Sequence, residues 1–422
     1  MSYSKNEIIE SISSLEQLIL YRDFTKNDLL AKIKTQLLVQ GSEDKFSFSQ
    51  IINELVEFNE KLGLKGDIFK NYLKGIFIND QNSFSLTAEK NTIAKNSSLY
   101  QLAYNDIEVI RQVLKINFSD LIKAFNLKNY SFLASYQAQT INNKNLKMYN
   151  YIFDNQSKLE DCLKNINNFY QKFGTALLNQ SSAFYWKNSA LKLVKNPDKI
   201  RFEQIIAYQK QQDKLINNTK SFLNDKKAHN VLLYGDSGTG KSSSVKALLN
   251  EFQDQGLRLI EINSSQIKEL SEIMEYLSQR GLYFIIFMDD LSFEEFETDY
   301  KDLKAIMEGG IESKPDNVLF YATSNRRHLV REKWQDRKSE VHKNDILNEK
   351  LSLAERFGLT LMYNNPDQEK YLKIVREIAA QEDIDIEASL LEDKALKWSK
   401  WHNGRSGRTA RQFIDQLLKL KN

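Results

Sequence analysis

Apolar residues recur at helical spacing through the first 195 positions, as in Ile8, Ile12, Leu15 and Ile19, or Ile51, Leu55, Phe58 and Leu62. Each set makes one buried stripe, and together they predict a helical bundle. Ser4 with Glu7 forms a capping-box pattern, Thr25 is placed to cap a helix through Leu29, Ile33 and Leu37, and Gly41 to end it. Between 75 and 86 the alternation is closer to period two around Asn79 and Ser83, which predicts a hairpin. Beyond 230 the pattern changes. Short apolar runs at 231–234, 257–262, 283–288, 318–323 and 359–363 alternate with amphipathic stretches such as Val245, Leu248, Leu249 and Phe252. Runs of that kind suit strands buried on both faces, so the second half predicts a five-stranded parallel sheet covered by helices. After Pro366 helical spacing returns in Tyr371, Ile374, Ile378, Leu391 and Leu396.

Breaker placement sharpens the division. No proline precedes Pro197, and the first 200 residues hold five of the fifteen glycines. With 422 residues, two or three domains are expected. The 59 basic and 56 acidic residues give a net charge of +3, too small for a broad field toward nucleic acid or an anionic membrane. The first 200 residues carry 25 basic against 20 acidic side chains, which a solvated lysine-rich face explains better than an acidic partner. Tyr and Phe interleave with those lysines (Phe169, Tyr170, Phe173, Phe184, Tyr185, Trp186) at spacings that suit core packing. Cys162 is the only cysteine, so an intramolecular disulfide and a four-cysteine zinc site are both excluded. Residues 1–14 have no leader pattern and the apolar block at 281–288 is too short to span a bilayer, so a cytoplasmic protein without membrane contact is expected.

Chemistry concentrates after the first apolar run of the second half. Val231-Leu232-Leu233-Tyr234 leads into Gly235-Asp236-Ser237-Gly238-Thr239-Gly240-Lys241-Ser242, a G-x-x-x-x-G-K-S loop between a strand and a helix. Its glycines let backbone N–H groups curl round an anion, and the following helix N-terminus adds positive potential. In such a loop Lys241 reaches the β- and γ-phosphates of a nucleotide and Ser242 supplies a hydroxyl to Mg²⁺, with Ser243 beside it. The apolar run 283–288 ends in Asp289-Asp290, a Walker B pattern: Asp289 is placed to hold Mg²⁺ through its water shell, and Asp290 to orient or deprotonate water. Asp290 is one methylene shorter than the glutamate usual for that task. Asn325, after the run 318–323, is either a polar sensor of the γ-phosphate or a turn former.

These residues resemble an AAA+ ATPase module over about 201–422, and they are most similar to the bacterial ATP-binding family known as domain of unknown function 815. The resemblance rests on five blocks in order: 230–243, 289–294, 321–329, 355–358 and 404–413. It implies an αβα sandwich with a C-terminal helical lid, divided as a helical domain 1–197, a nucleotide-binding domain 198–365 and a lid 366–422. It also implies ATP and Mg²⁺ as cofactors, Asn325 as sensor 1, Arg356 as an arginine finger for a neighbouring subunit, and Arg408 as sensor 2 with Arg411 as its rival. Locally, Arg356 could equally pair with Glu355. Ile205-Ile206-Ala207-Tyr208 resembles the segment that lines the adenine pocket. Glu294 and Glu295 are stand-in bases or solvated charges.

Two functions lead at this point, ahead of phosphoryl transfer to a small molecule, for which no second substrate-pocket motif is apparent. One is an ATP-hydrolysing machine that forms a ring or partial ring and moves an unknown protein client through its helical domain. The other is a slowly hydrolysing, nucleotide-gated binding switch. Nucleic acid is a less favoured partner through Arg326, Arg327 and His328, and His229, His342 and His402 lack companion ligands at metal spacing.

Overall fold

The computed structural model describes residues 3–38, 45–152, 158–292, 299–308, 314–325, 353–402 and 404–421. The chain divides into two compact units, Met1–Gln180 and Ser181–Asn422.

Helices dominate the first unit, among them Lys5–Ser14, Asp28–Leu38, Lys45–Leu62, Ile68–Asn79, Ser98–Val113 and Leu159–Phe173. Their apolar stripes meet in one core that includes Ile8, Ile12, Leu15, Ile51 and Leu55. Ile19 falls beyond the first helix and its 3₁₀ extension Leu15–Gln17, and is exposed. Ser4 and Glu7 close the expected capping box. Thr25 does not cap: its hydroxyl donates to the Arg22 carbonyl, while Asn27 Oδ1 accepts the Leu30 N–H at 3.1 Å and starts the helix at Asp28. Gly41 lies outside the described residues. The hairpin expected over 75–86 is instead the joint between helices Ile68–Asn79 and Ser83–Lys90. Asn82 and Ser85 cap the second helix reciprocally there, so the period-two stretch is a helix start. Two short strands, β1 (Lys65–Gly66) and β2 (Tyr136–Gln137), pair antiparallel.

The first unit ends at Gln180 rather than at 197, because the chain enters the second unit's sheet at once. Strand β3 (Ala183–Trp186) turns through Asn188 and Ser189, both at positive φ, into β4 (Leu191–Leu193). A two-residue turn with left-handed dihedrals matches the twist of paired strands, which makes this a hairpin. Phe184 and Trp186 are buried while Tyr185 is exposed.

All five expected strands are present: β5 (Val231–Gly235), β6 (Leu257–Ile262), β7 (Tyr283–Met288), β8 (Val318–Ser324) and β9 (Leu359–Tyr363). The sheet has seven strands in the order β4-β3-β6-β7-β8-β5-β9. Every pair is parallel except β3 with β4. β8 is buried along its whole length, and β7 along all but its first residue, as strands covered on both faces require. Helices Gln368–Gln381, Ala388–Trp401 and Gly407–Lys421 follow, with a core of their own containing Tyr371, Ile374, Leu391 and Phe413.

Candidate functional site

Strand β5 stops where its backbone must turn away from the sheet. Gly235 has φ 131°, and a Cβ on it would approach the Tyr363 carbonyl oxygen to 2.2 Å. Gly240, at φ 94°, begins the helix Lys241–Phe252. Only glycine adopts such angles at little cost, so the loop's curl is written into its glycine spacing. Lys241 is buried, and its ammonium donates to the carbonyls of Gly235 (2.8 Å) and Asp236 (2.7 Å) and to Asn325 Oδ1 (3.1 Å). All three of its donors are used. Burial pushes the Lys241 ammonium below its usual range and Arg408 adds to that push, while Asp236, Asp290 and Asp289 oppose it.

Both acids sit at the carboxyl end of β7, next to β8. Asp289 Oδ1 accepts hydroxyl hydrogen bonds from Ser242 (2.6 Å) and Thr323 (2.5 Å). Asp290 has φ 51°; its N–H donates to Thr323 Oγ1 at 2.9 Å and its Oδ1 accepts from Asn325 Nδ2 at 2.8 Å. Left-handed backbone favours Asp and Asn among side-chain-bearing residues, which accounts for aspartate where glutamate is more usual. Asn325 therefore bridges Lys241 and Asp290. Thr323 was not singled out from the sequence; a buried hydroxyl in an otherwise apolar run was its one signal.

A cavity of about 680 Å³ joins these groups to the C-terminal helices. It is lined by the loop 237–243, Asp289, Asp290 and Asn325 and by Ile205, Ile206, Tyr208, Ile374 and Ile378. Tyr208 donates its hydroxyl to the Asn364 carbonyl at 2.7 Å and packs its ring 4.9 Å from that of Tyr363. Arg408 and Arg411 both line the cavity. Glu382 ties the Arg411 guanidinium at 2.5 Å, whereas the Arg408 side chain has no hydrogen-bond partner among the described residues. The Arg408 N–H donates to the Gly238 carbonyl at 3.1 Å, and Asp236 Oδ2 accepts the Asn365 N–H at 2.6 Å, so the loop is held from both sides.

Arg356 does not line the cavity. It pairs with Glu308 at 2.5 Å, not with Glu355, and is 44% exposed. Glu294, Glu295, Arg326, Arg327, His328 and His342 lie outside the described residues. His229 sits against Gly358, and His402 stacks on Trp398. Among the described residues no cluster of three or more His, Cys, Asp or Glu side chains forms a metal cage. A hydroxyl and a carboxylate meeting at Ser242 and Asp289 suit a hard cation whose other ligands are phosphate and water. Curled amides, a buried lysine and apolar side chains lining one cavity suit a triphosphate carrying a planar base.

The family described as "Protein of unknown function (DUF815)" matches residues 179–420, more than half the chain. The chain belongs to this family. Its sheet, with β5 between β8 and β9 and three helices after β9, has the order of elements that the AAA+ resemblance implies. Among solved structures, the chain is similar to the Thermotoga maritima RuvB Holliday junction branch migration motor at 16% identity and TM-score 0.38, covering 52% of this chain and 64% of that one. A point mutant of T. maritima RuvB is similar at 18% identity and TM-score 0.38, with coverages of 53% and 67%. The chain thus spans just under two thirds of the length of the first of these structures. No curated protein matches it. No helix among the described residues is long and apolar enough to cross a membrane.

Proposed function

We propose that this DUF815 member binds ATP with Mg²⁺ and hydrolyses it, coupling turnover to the remodelling or movement of a macromolecular client. The observation that carries the reading is the junction of Lys241, Asn325 and Asp290 with Ser242 and Asp289 in the lining of one cavity. In this reading the amides of 235–243 and Lys241 cradle the phosphates, and Tyr208 with the lining isoleucines receives the base. Ser242 and Asp289 hold Mg²⁺, which when bound neutralises phosphate charge and orients the triphosphate. Asp290 takes a proton from water, while Asn325 holds that carboxylate and touches the terminal phosphate. Arg408 contributes a cation from the lid.

Arg356, exposed and not among the residues lining its own cavity, serves a neighbouring subunit, so the active form is a ring or partial ring in the cytoplasm. The helical unit 1–180 receives a protein client; nucleic acid is the less favoured cargo. A specific observation favours the slow switch as the second reading: Asp290 is short and its carboxylate already engages Asn325.

Phosphate release measured against protein concentration, beside fluorescent ATP binding, separates these readings. Turnover per chain that rises with concentration and is lost in Arg356→Ala with binding intact supports the machine. Turnover well below about 1 s⁻¹ at every concentration supports the switch. Lack of ATP binding in Mg²⁺ removes both.

A further inference from the structure

We infer that Thr323 is a positioning residue for the acidic pair, a role that rests on the ATP–Mg²⁺ reading of the cavity. Its side chain is 1% exposed at the end of β8, beside the end of β7. One hydroxyl makes two contacts of opposite sense: it donates to Asp289 Oδ1 at 2.5 Å and accepts the Asp290 N–H at 2.9 Å. The carbonyl of the same residue accepts the Leu291 N–H at 2.7 Å. Thr323 therefore fastens three consecutive residues, 289 to 291, from the neighbouring strand.

A hydroxyl has a single hydrogen, so this pattern fixes its direction. β-branching limits the χ1 rotamers of threonine, so the oxygen is held stiffly against both acids. Asp290 is the member at φ 51°, and its N–H needs a partner at that turn. Ser242 shares Asp289 Oδ1 with Thr323. When the Ser242 hydroxyl is given to the cation, Thr323 is the hydroxyl that remains to orient that carboxylate. Partners that orient metal ligands in this way typically change metal affinity or activity by about 10–100-fold when removed.

The test uses the full chain, a fluorescent ATP analogue and a Mg²⁺ titration. Thr323→Val keeps the shape and removes both hydrogen bonds; Thr323→Ser keeps the hydroxyl. In EDTA, the Val variant is expected to bind the analogue within about twofold of wild type, while the Mg²⁺ concentration giving half-maximal tightening rises about 10–100-fold. The Ser variant is expected to stay within about threefold of wild type on both measures. A Val variant with wild-type Mg²⁺ dependence overturns the assignment. So does a Ser variant as impaired as the Val variant, since the methyl group would then matter and the hydroxyl would not. Loss of binding in EDTA also overturns it, because the cavity itself would have changed. Wild-type protein that binds no analogue with or without Mg²⁺ refutes the ATP reading itself.

Discussion

Replacing Asp290 by glutamate, the commoner residue after such a strand acid, is expected to harm the protein and not to improve it. Asp290 holds φ 51°, a left-handed backbone that costs an ordinary L-residue roughly 1–2 kcal/mol and Asp less. The difference charged to glutamate is about 1 kcal/mol, a fall of about 2–4 °C in melting temperature for a unit of this size. The added methylene also carries the carboxylate past Asn325 Nδ2, now 2.8 Å away. A displacement of about 1 Å in a reacting group can lower turnover on the order of 100-fold. Thermal melting and steady-state phosphate release would be read side by side, with Asp290→Asn as the control. Asparagine tolerates left-handed φ and keeps an oxygen for Asn325, so it should melt like wild type while turnover is lost. A glutamate variant that melts with wild type and turns over faster would refute the backbone argument. An asparagine variant with full turnover would remove Asp290 as the base.

Arg356→Ala should lower turnover about 1,000-fold, the smaller end for an arginine finger, and leave melting nearly unchanged because its pair with Glu308 is half exposed. Retained turnover in the Arg356→Ala protein alone would sink the trans role. Gly238→Ala places a Cβ 3.0 Å from both Arg408 Cβ and Ser406 Oγ at φ 75°, so it should destabilise by roughly 1–2 kcal/mol and weaken ATP binding; wild-type melting would contradict this. Asn27→Ala should cost about 1 kcal/mol through the lost cap, while Thr25→Ala should be close to neutral; equal effects in chemical denaturation would mean the cap is misassigned.

Legibility in the sequence followed how local each signal is. The five strands β5 to β9 stood out because strands buried on both faces are nearly uninterrupted apolar runs, and the loop 235–242 because its glycines are required one by one by backbone angles. The hairpin β3–β4 was hidden inside an aromatic, lysine-rich stretch, where Asn188-Ser189 is a weaker turn signal than a pair containing glycine. The Thr25 cap and the 75–86 hairpin failed for a related reason. Several polar residues near each helix start can cap it, and only the packed backbone selects Asn27 and Asn82.

The candidate site's residues were legible one by one, but their connections were not. Lys241, Asp290 and Asn325 were each named from a motif, yet nothing in three separate motifs says that one amide joins the ammonium to the carboxylate. The same holds for the loop and lid. Asp236 looks like a variable position inside G-x-x-x-x-G-K-S, but its carboxylate holds the Asn365 N–H at the start of the link to the lid, and the Gly238 carbonyl holds Arg408 at the start of the last helix. A ligand that draws the loop's amides around a phosphate must act against those two hydrogen bonds or through them. On the proposed ATP reading, the position of the C-terminal helices and phosphate occupancy are expected to be coupled through the backbone of a few loop residues. Asp236→Ala tests that step: it should leave the loop's glycines unstrained and loosen the lid, seen as faster amide exchange in 368–381 without nucleotide. Unchanged exchange there would show that the carboxylate holds nothing the rest of the loop does not.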